Sequence, residues 1–306
     1  MVLISATGFG TLAIFAKLGY AAGLGTEQTL AFRFALAAAG MWVLALAIGQ
    51  NPARLGAGRI AVLACLGFFV YTAQSLTYFI ALRSLPASLV VLIAYIYPTL
   101  VVAAGWVFLR RRVSIWHGVA LAGSFAGVAM LVGGAHFQIA WALVFAIASP
   151  TIYTAYILIG ERVMSSSPAV GSSAVIMTGA AVAFFMLAGQ QNQLVLPRNM
   201  TGWEVAVGIA FFPTMLAISL FLAGLPRIGA ARAALLSTWE PVVTVTLAVV
   251  VLGDRLSAVQ VAGGVMVLLA VIVVQLTQDA GRSGSPRGTP LELSRRTLGG
   301  PGGAPG

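Results

Sequence analysis

Charge is what this chain has least of: only 8% of its 306 residues are Asp, Glu, Lys or Arg. Cysteine occurs once, as Cys65, which excludes an intramolecular disulfide and a thiolate metal cluster and leaves Cys65 as a packing residue. There are two histidines, His117 and His136, at opposite ends of one apolar run and too far apart to share a metal. No metal site and no cofactor are therefore expected. Also missing is a catalytic constellation: no His-Glu-x-x-His segment, no Ser with a nearby His and no paired Asp occurs in the apolar runs. An enzyme working at that depth would lack its proton-transfer partners, so none is expected.

What fills the chain instead is apolar side chains, 60% of all residues, more than a soluble domain uses to fill its core. A helix crossing about 30 Å of hydrocarbon must satisfy its backbone internally, which takes about 20 mostly apolar residues. Such runs occur at roughly 2–22, 29–48, 60–82, 87–109, 116–134, 139–160, 171–188, 203–223, 229–252 and 257–276. The expected class is an all-α integral membrane protein of ten spans. The first run has no basic leader and no small-residue cleavage site, so it reads as a retained span rather than a signal peptide.

The formal charge of +10 would point a soluble protein towards nucleic acid, but here its placement follows topology. With the N-terminus cytoplasmic, the inner segments hold Arg54, Arg59, Arg110, Arg111, Arg112, Arg162, Arg227, Arg232, Arg282, Arg287, Arg295 and Arg296, and the outer loops only Arg83, Arg198 and Arg255. That bias places both termini in the cytoplasm of a bacterial inner-membrane protein and excludes a nucleic-acid partner. The segment 277–306, rich in Gly, Pro, Ser and Arg, reads as a disordered cytoplasmic tail, either simply solvated or touching anionic lipid. Asn199-Met200-Thr201 matches a glycosylation acceptor, a pattern short enough to recur by chance.

Shifting the chain by 143 residues lays Ala87 on Ala230, Leu92 on Leu235, Pro98 on Pro241, Leu109 on Leu252, Arg112 on Arg255 and Ser114 on Ser257. The fourth and ninth spans correspond, so the chain divides into 1–134 and 139–276, five spans each. An odd number of spans forces the second unit to enter the membrane from the opposite face. Two inverted five-helix repeats are an architecture of secondary transporters, whose halves rock around a shared site.

Several segments carry a family likeness: Ala-Phe-Arg-Phe at 31–34, Tyr-Phe-Ile-Ala-Leu at 78–82, Ala-Ser-Leu-Val-Val-Leu-Ile at 87–93, Tyr-Pro at 97–98, Ala-Leu-Leu-Ser-Thr-Trp-Glu-Pro-Val at 234–242 and Leu-Gly-Asp-Arg-Leu-Ser at 252–257. In these, and in its ten spans, the chain resembles the EamA-type transporters of the drug/metabolite transporter superfamily. The resemblance implies an exporter or exchanger of small metabolites, often amino acids or related compounds, with a cavity between the halves. It departs from the family after the fourth span, where Leu109-Arg110-Arg111-Arg112 stands in place of Gly-Glu-Arg; the second half has Asp254 for that acid.

Within the spans, Glu240 is the sharpest clue, because an ionisable side chain at mid-membrane costs several kcal/mol unless paired, hydrated or protonated. It reads as a proton acceptor or a partner for a substrate amino group, or else as a helix lock. Pro241 beside it and Pro98 in the matching helix each remove a backbone donor, freeing the carbonyls of Ser237 and Ala94. Paired kinks point to a central gating site or to fixed packing. Lys17 and Arg33 lie roughly 7–9 Å from the midplane at about 1.5 Å per residue. They read as an electropositive vestibule that, with Glu240, suits a zwitterion, or as snorkelling side chains.

Gln74, Ser75 and Tyr78 form a polar stripe on the third span. Tyr95, Tyr97, Tyr153, Tyr156 and Trp239 add aromatic surface with polar tips, as cavity lining or as interfacial anchors. Gly123 and Gly127 make a close-packing step, used inside the chain or for a homodimer. The expected partners are thus a small-molecule substrate, the lipid bilayer and, on the second use of that step, another copy. The reading is a secondary transporter working by alternating access around a central cavity. A facilitative, channel-like permease, a multidrug efflux protein and a receptor or scaffold are the alternatives.

Overall fold

A computed structural model of the chain describes residues 1–110, 114–133, 140–164, 167–192, 194–197 and 199–283. Arg111, Arg112, His136, Arg198 and the tail beyond 283, with Arg287, Arg295 and Arg296, lie outside these residues. Among the described residues, ten apolar helices are long enough to cross a membrane: α1 (Val2–Ala21), α2 (Thr26–Ala47), α3 (Ala57–Ser84), α4 (Ala87–Phe108), α5 (Ile115–Val132), α6 (Trp141–Met164), α7 (Ala169–Gln190), α8 (Met200–Ile228), α9 (Arg232–Leu252) and α10 (Ala258–Thr277). The last helix runs on to Ser283, past the expected start of the tail. Large apolar side chains such as Phe108, Ile115 and Val250 are more than three-quarters exposed. An apolar surface of this kind is stable only against lipid, so the protein is a multi-pass membrane protein.

The connections alternate between two faces. The helix ends Val2, Ala47, Ala57, Phe108, Ile115, Met164, Ala169, Ile228, Arg232 and Thr277 mark one face, called here the N-face; Ala21, Thr26, Ser84, Ala87, Val132, Trp141, Gln190, Met200, Leu252 and Ala258 mark the other.

The inverted repeat is visible in paired contacts. Near the start of α2, the Gln28 side-chain amide donates to the Val195 carbonyl in the loop after α7. Conversely, the Gln50 side-chain oxygen, in the loop after α2, accepts from the Val170 amide at the start of α7 at 3.1 Å. Each half thereby caps the other. The helix containing α4 ends on Arg110 at φ 50°, and α9 ends on Gly253 at φ 72°, both left-handed and both at repeat-equivalent positions. Arginine thus occupies a conformation that glycine adopts without steric cost.

Small residues set the helix spacing. A Cβ on Gly67 in α3 would collide with the Ile176 carbonyl of α7, and one on Gly179 in α7 would collide with the Ala64 carbonyl of α3. Gly127 of α5 and Gly263 of α10 meet in the same way: a Cβ on either would stand 2.7 or 2.6 Å from the other's carbonyl oxygen. The Gly123–Gly127 step is therefore filled within the chain.

Two wide, π-helical turns interrupt equivalent helices: Leu66–Tyr71 in α3 and Phe211–Leu216 in α8. Just after the first and within the second, a threonine hydroxyl donates to the carbonyl five residues back, Thr72 to Gly67 at 2.9 Å and Thr214 to Ile209 at 2.9 Å. Such turns interrupt the regular helical ladder and recur at functional sites.

Candidate substrate site at the crossing of two broken helices

Proline shapes the centre. The span α4 consists of two helical pieces, Ala87–Ala94 and Tyr97–Leu109, with Pro98 near the start of the second. The ninth span likewise divides into Ala230–Ser237 and Trp239–Leu252, with Pro241 just after the break. Lacking an N–H, Pro241 cannot bond the Ser237 carbonyl, and an orphaned carbonyl at this depth has to find another donor. It finds one across the repeat boundary: the Tyr95 hydroxyl donates to Ser237 O at 2.5 Å. The same hydroxyl lies 3.3 Å from Glu240 Oε2.

The carboxyl of Glu240 therefore faces α4 of the first repeat rather than acyl chains. Its repeat equivalent is Tyr97, and both immediately precede the shared proline. Glu240 keeps partial access, whereas Tyr95 is buried. One turn on from Glu240, α9 touches α1: the Thr244 hydroxyl donates to Gly10 O at 2.9 Å, and a Cβ at Gly10 would stand 3.0 Å from Glu240 O.

From this carboxyl a chain of rings crosses the protein. Tyr95 meets Tyr97 edge-on (5.8 Å between centroids), Tyr97 meets Tyr153 (4.9 Å), Tyr153 stacks on Tyr156 (5.7 Å), and Tyr156 stacks on Tyr71 (4.9 Å). Tyr71 then packs edge-on against Phe34 (5.4 Å). Four of the tyrosines predicted as cavity lining thus form one aromatic wall, and Tyr71 extends it. Tyr78 lies apart from this chain, within electrostatic range of both Glu240 and Arg33.

Arg33 terminates the wall. Its side chain does not snorkel: it is 4% exposed, and its Nε donates to Thr214 Oγ1 at 3.0 Å. The guanidinium lies 4.8 Å from the Phe34 ring centroid and 5.8 Å from that of Phe79, and Tyr71 is within its electrostatic range. Tyr71 and Thr214 are equivalent under the 143-residue shift and lie in the two π-helical turns. One arginine thus bonds this irregularity in the second repeat and lies within electrostatic range of it in the first, and no carboxylate is its partner among the described residues. Long side chains confined by helix packing at this depth cannot reach the interface, which is why the snorkelling alternative fails here.

Other predicted residues lie elsewhere. Lys17 interacts electrostatically with Asp254 rather than with Glu240. Gln74 donates to Ser149 of α6 at 3.2 Å. Trp239 is 46% exposed. Sequence reading passed over Tyr71, Thr214 and Ser88; extending the repeat register from the proline pair back to Tyr71 and Thr214 exposes the first two.

The Tyr95 bond has a measurable consequence. Tyr95→Phe leaves the Ser237 carbonyl buried and unsatisfied, expected to cost about 1–3 kcal/mol. Pro241→Ala returns an amide to that carbonyl, so the double variant should recover most of the loss in thermal melts of the detergent-solubilised protein. Simple additivity of the two losses would refute this assignment.

Comparison with known proteins agrees with this architecture. The EamA-like transporter family matches residues 1–133 and again 140–276. The chain is 26% identical over 273 residues to the uncharacterized transporter YcbK of Bacillus subtilis (strain 168), covering 86% of this chain and 87% of YcbK. A solved crystal structure, 20% identical, superposes with a TM-score of 0.65 over 90% of this chain and 96% of its own length, a likeness of fold.

Proposed function

Because this chain belongs to the EamA-like transporter family, we propose that it exports a small polar or amphipathic metabolite across the bacterial inner membrane by alternating access, with both termini cytoplasmic. The observation that carries this reading is the position of Glu240: a partly accessible carboxyl at the crossing of two repeat-equivalent broken helices, held by Tyr95 from the other repeat. The units 1–134 and 139–276 move against each other, and the segment that follows is a cytoplasmic appendage.

Glu240 takes up a proton or the amino group of the substrate, since a carboxylate at this depth is stabilised most by a cation that enters with it. Tyr97, Tyr153 and Tyr156 offer flat faces to the substrate body. Arg33, within electrostatic range of Tyr78 as Glu240 is, offers a cation to a substrate carboxylate, and the pairing suits amino acids or related zwitterions. Lys17, within electrostatic range of Asp254, is an outer contact on the exit path. Gln74, tied to α6, and the exposed Trp239 are at most peripheral to binding.

The test is flux in proteoliposomes across a panel of amino acids, amines and organic acids, with and without a pH gradient. Glu240→Gln keeps the shape and the Tyr95 contact but loses the charge. Loss of a charge-assisted bond of about 1.5–3 kcal/mol predicts a fall of about 10- to 100-fold in apparent affinity. If Glu240→Gln transports like the parent protein, with the same response to pH, the carboxyl has no part in the mechanism.

A further inference from the structure

The two crossing helices meet unequally on the two sides of the membrane. Beyond the crossing at Tyr95 and Ser237, Ala87–Ala94 of α4 and Trp239–Leu252 of α9 pack together on the face opposite the N-face. Tyr97–Leu109 and Ala230–Ser237, which form the N-face halves of the same spans, make at most marginal contact among the described residues. The pair is therefore closed on one side and parted on the other.

A specific contact seals the closed side. Asp254 follows the left-handed cap at Gly253, and its Oδ2 accepts both the Ser88 amide (2.9 Å) and the Ser88 hydroxyl (2.7 Å). Ser88 lies in the first turn of Ala87–Ala94, where free amides and the helix dipole favour an anion. Lys17 of α1 adds a cation within electrostatic range of that carboxylate. The last residues of one repeat's broken span thus clamp the first residues of the other's.

In an inverted repeat each contact that closes one face has an equivalent that closes the other once the halves exchange conformations. Under the 143-residue shift, Asp254 corresponds to Arg111 and Ser88 to Ala231. Arginine cannot accept these hydrogen bonds and alanine has no hydroxyl to donate, so the sequence does not repeat the donor–acceptor pair in the first half's register. We propose that Ser88 and Asp254 are a one-sided gate lock, which sets the resting state of the carrier as closed away from the N-face and open towards it. The missing first-half acid is then a functional asymmetry: substrate enters from the N-face, and release requires breaking a lock that has no counterpart holding the opposite state.

This inference rests on the alternating-access reading, but its test needs no substrate, so the two fail separately. Spin-label pairs in a Cys65→Ser background report each face by electron–electron distance measurement: Arg83→Cys with Arg255→Cys for the locked face, and Phe108→Cys with Arg232→Cys for the N-face. Ser88→Ala and Asp254→Ala are expected to lengthen the first distance, shorten the second and shift the ratio of the two states by about tenfold or more, as loss of two bonds to a charged acceptor implies. Building the clamp on the other side, with Arg111→Glu and Ala231→Ser, is expected to shift the populations the opposite way. Ser88 and Asp254 are structural only, and the proposal is overturned, if the lock variants leave both distance distributions unchanged or if the rebuilt clamp fails to favour N-face closure.

Discussion

Gly67→Ala and Gly179→Ala are expected to be the most damaging single-methyl substitutions for folding of this protein. Each puts a Cβ into a backbone carbonyl of the facing helix, Ile176 O for Gly67 and Ala64 O for Gly179. A flexible side chain would move aside, but a helical carbonyl moves only with its helix. Forcing α3 and α7 apart also loosens the contacts of the adjoining π-helical turn and of Tyr71. Overpacking ordinarily costs about 1–3 kcal/mol and more where backbone must shift; a loss of about 3 kcal/mol corresponds to a melting temperature lower by roughly 6–12 °C for a chain of this size. Gly118→Ala is the control: it lies within α5 with nothing within 4 Å of the added methyl. There the better helix propensity of alanine should leave the melting temperature unchanged or slightly raised. Equal losses at Gly67, Gly179 and Gly118 would mean that helix packing is not what these two glycines serve.

Arg33→Met is expected to separate stability from transport. A guanidinium buried at 4% exposure without a carboxylate partner among the described residues is an expensive group, and a hydrophobic residue of similar length often replaces a buried charge at no cost or with a gain of about 1–4 kcal/mol. Thr214 is not orphaned by the change, because its hydroxyl already donates to Ile209 O at 2.9 Å. The variant should therefore melt at or above the temperature of the parent protein. Its transport of a zwitterion should fall by about tenfold or more, with uptake of a simple amine less affected, because only the former presents a carboxylate. Arg33→Lys keeps the charge but loses the planar fork and its Nε donor to Thr214, so it should transport with intermediate efficiency. A large destabilisation in Arg33→Met, with transport lost in proportion to folded protein, would make Arg33 a structural clasp alone.

How much of this was legible beforehand can be judged at particular residues. The two prolines and Glu240 stood out because a missing amide and a carboxyl are conspicuous in an apolar run whatever surrounds them. Tyr95 and Tyr97 were marked only by proximity to Pro98, and nothing local distinguished Tyr95, which bonds the other repeat, from Tyr156, which does not touch Glu240. Lys17 and Arg33 looked alike by depth. Packing parted them: Arg33 went to the π-helical turns and Lys17 towards Asp254. Tyr71 was missed because nothing in its local sequence separates a cavity tyrosine from an interfacial anchor.

The sequence by itself determined the class, the ten spans, the inverted repeat and the register that pairs Pro98 with Pro241. Each of these follows from a requirement met locally: lipid offers the backbone no hydrogen bonds, so every span must be long, apolar and helical, and five spans per unit reverse its direction. Only the tertiary structure decided that Tyr95 satisfies the Ser237 carbonyl, that Arg33 bonds Thr214 in a π-helical turn, and that Ser88 meets Asp254. These partners lie 142, 181 and 166 residues apart. In lipid, apolarity does not say which face of a helix turns towards another, so that choice falls to the close approach of small residues and to the few polar groups that must find each other.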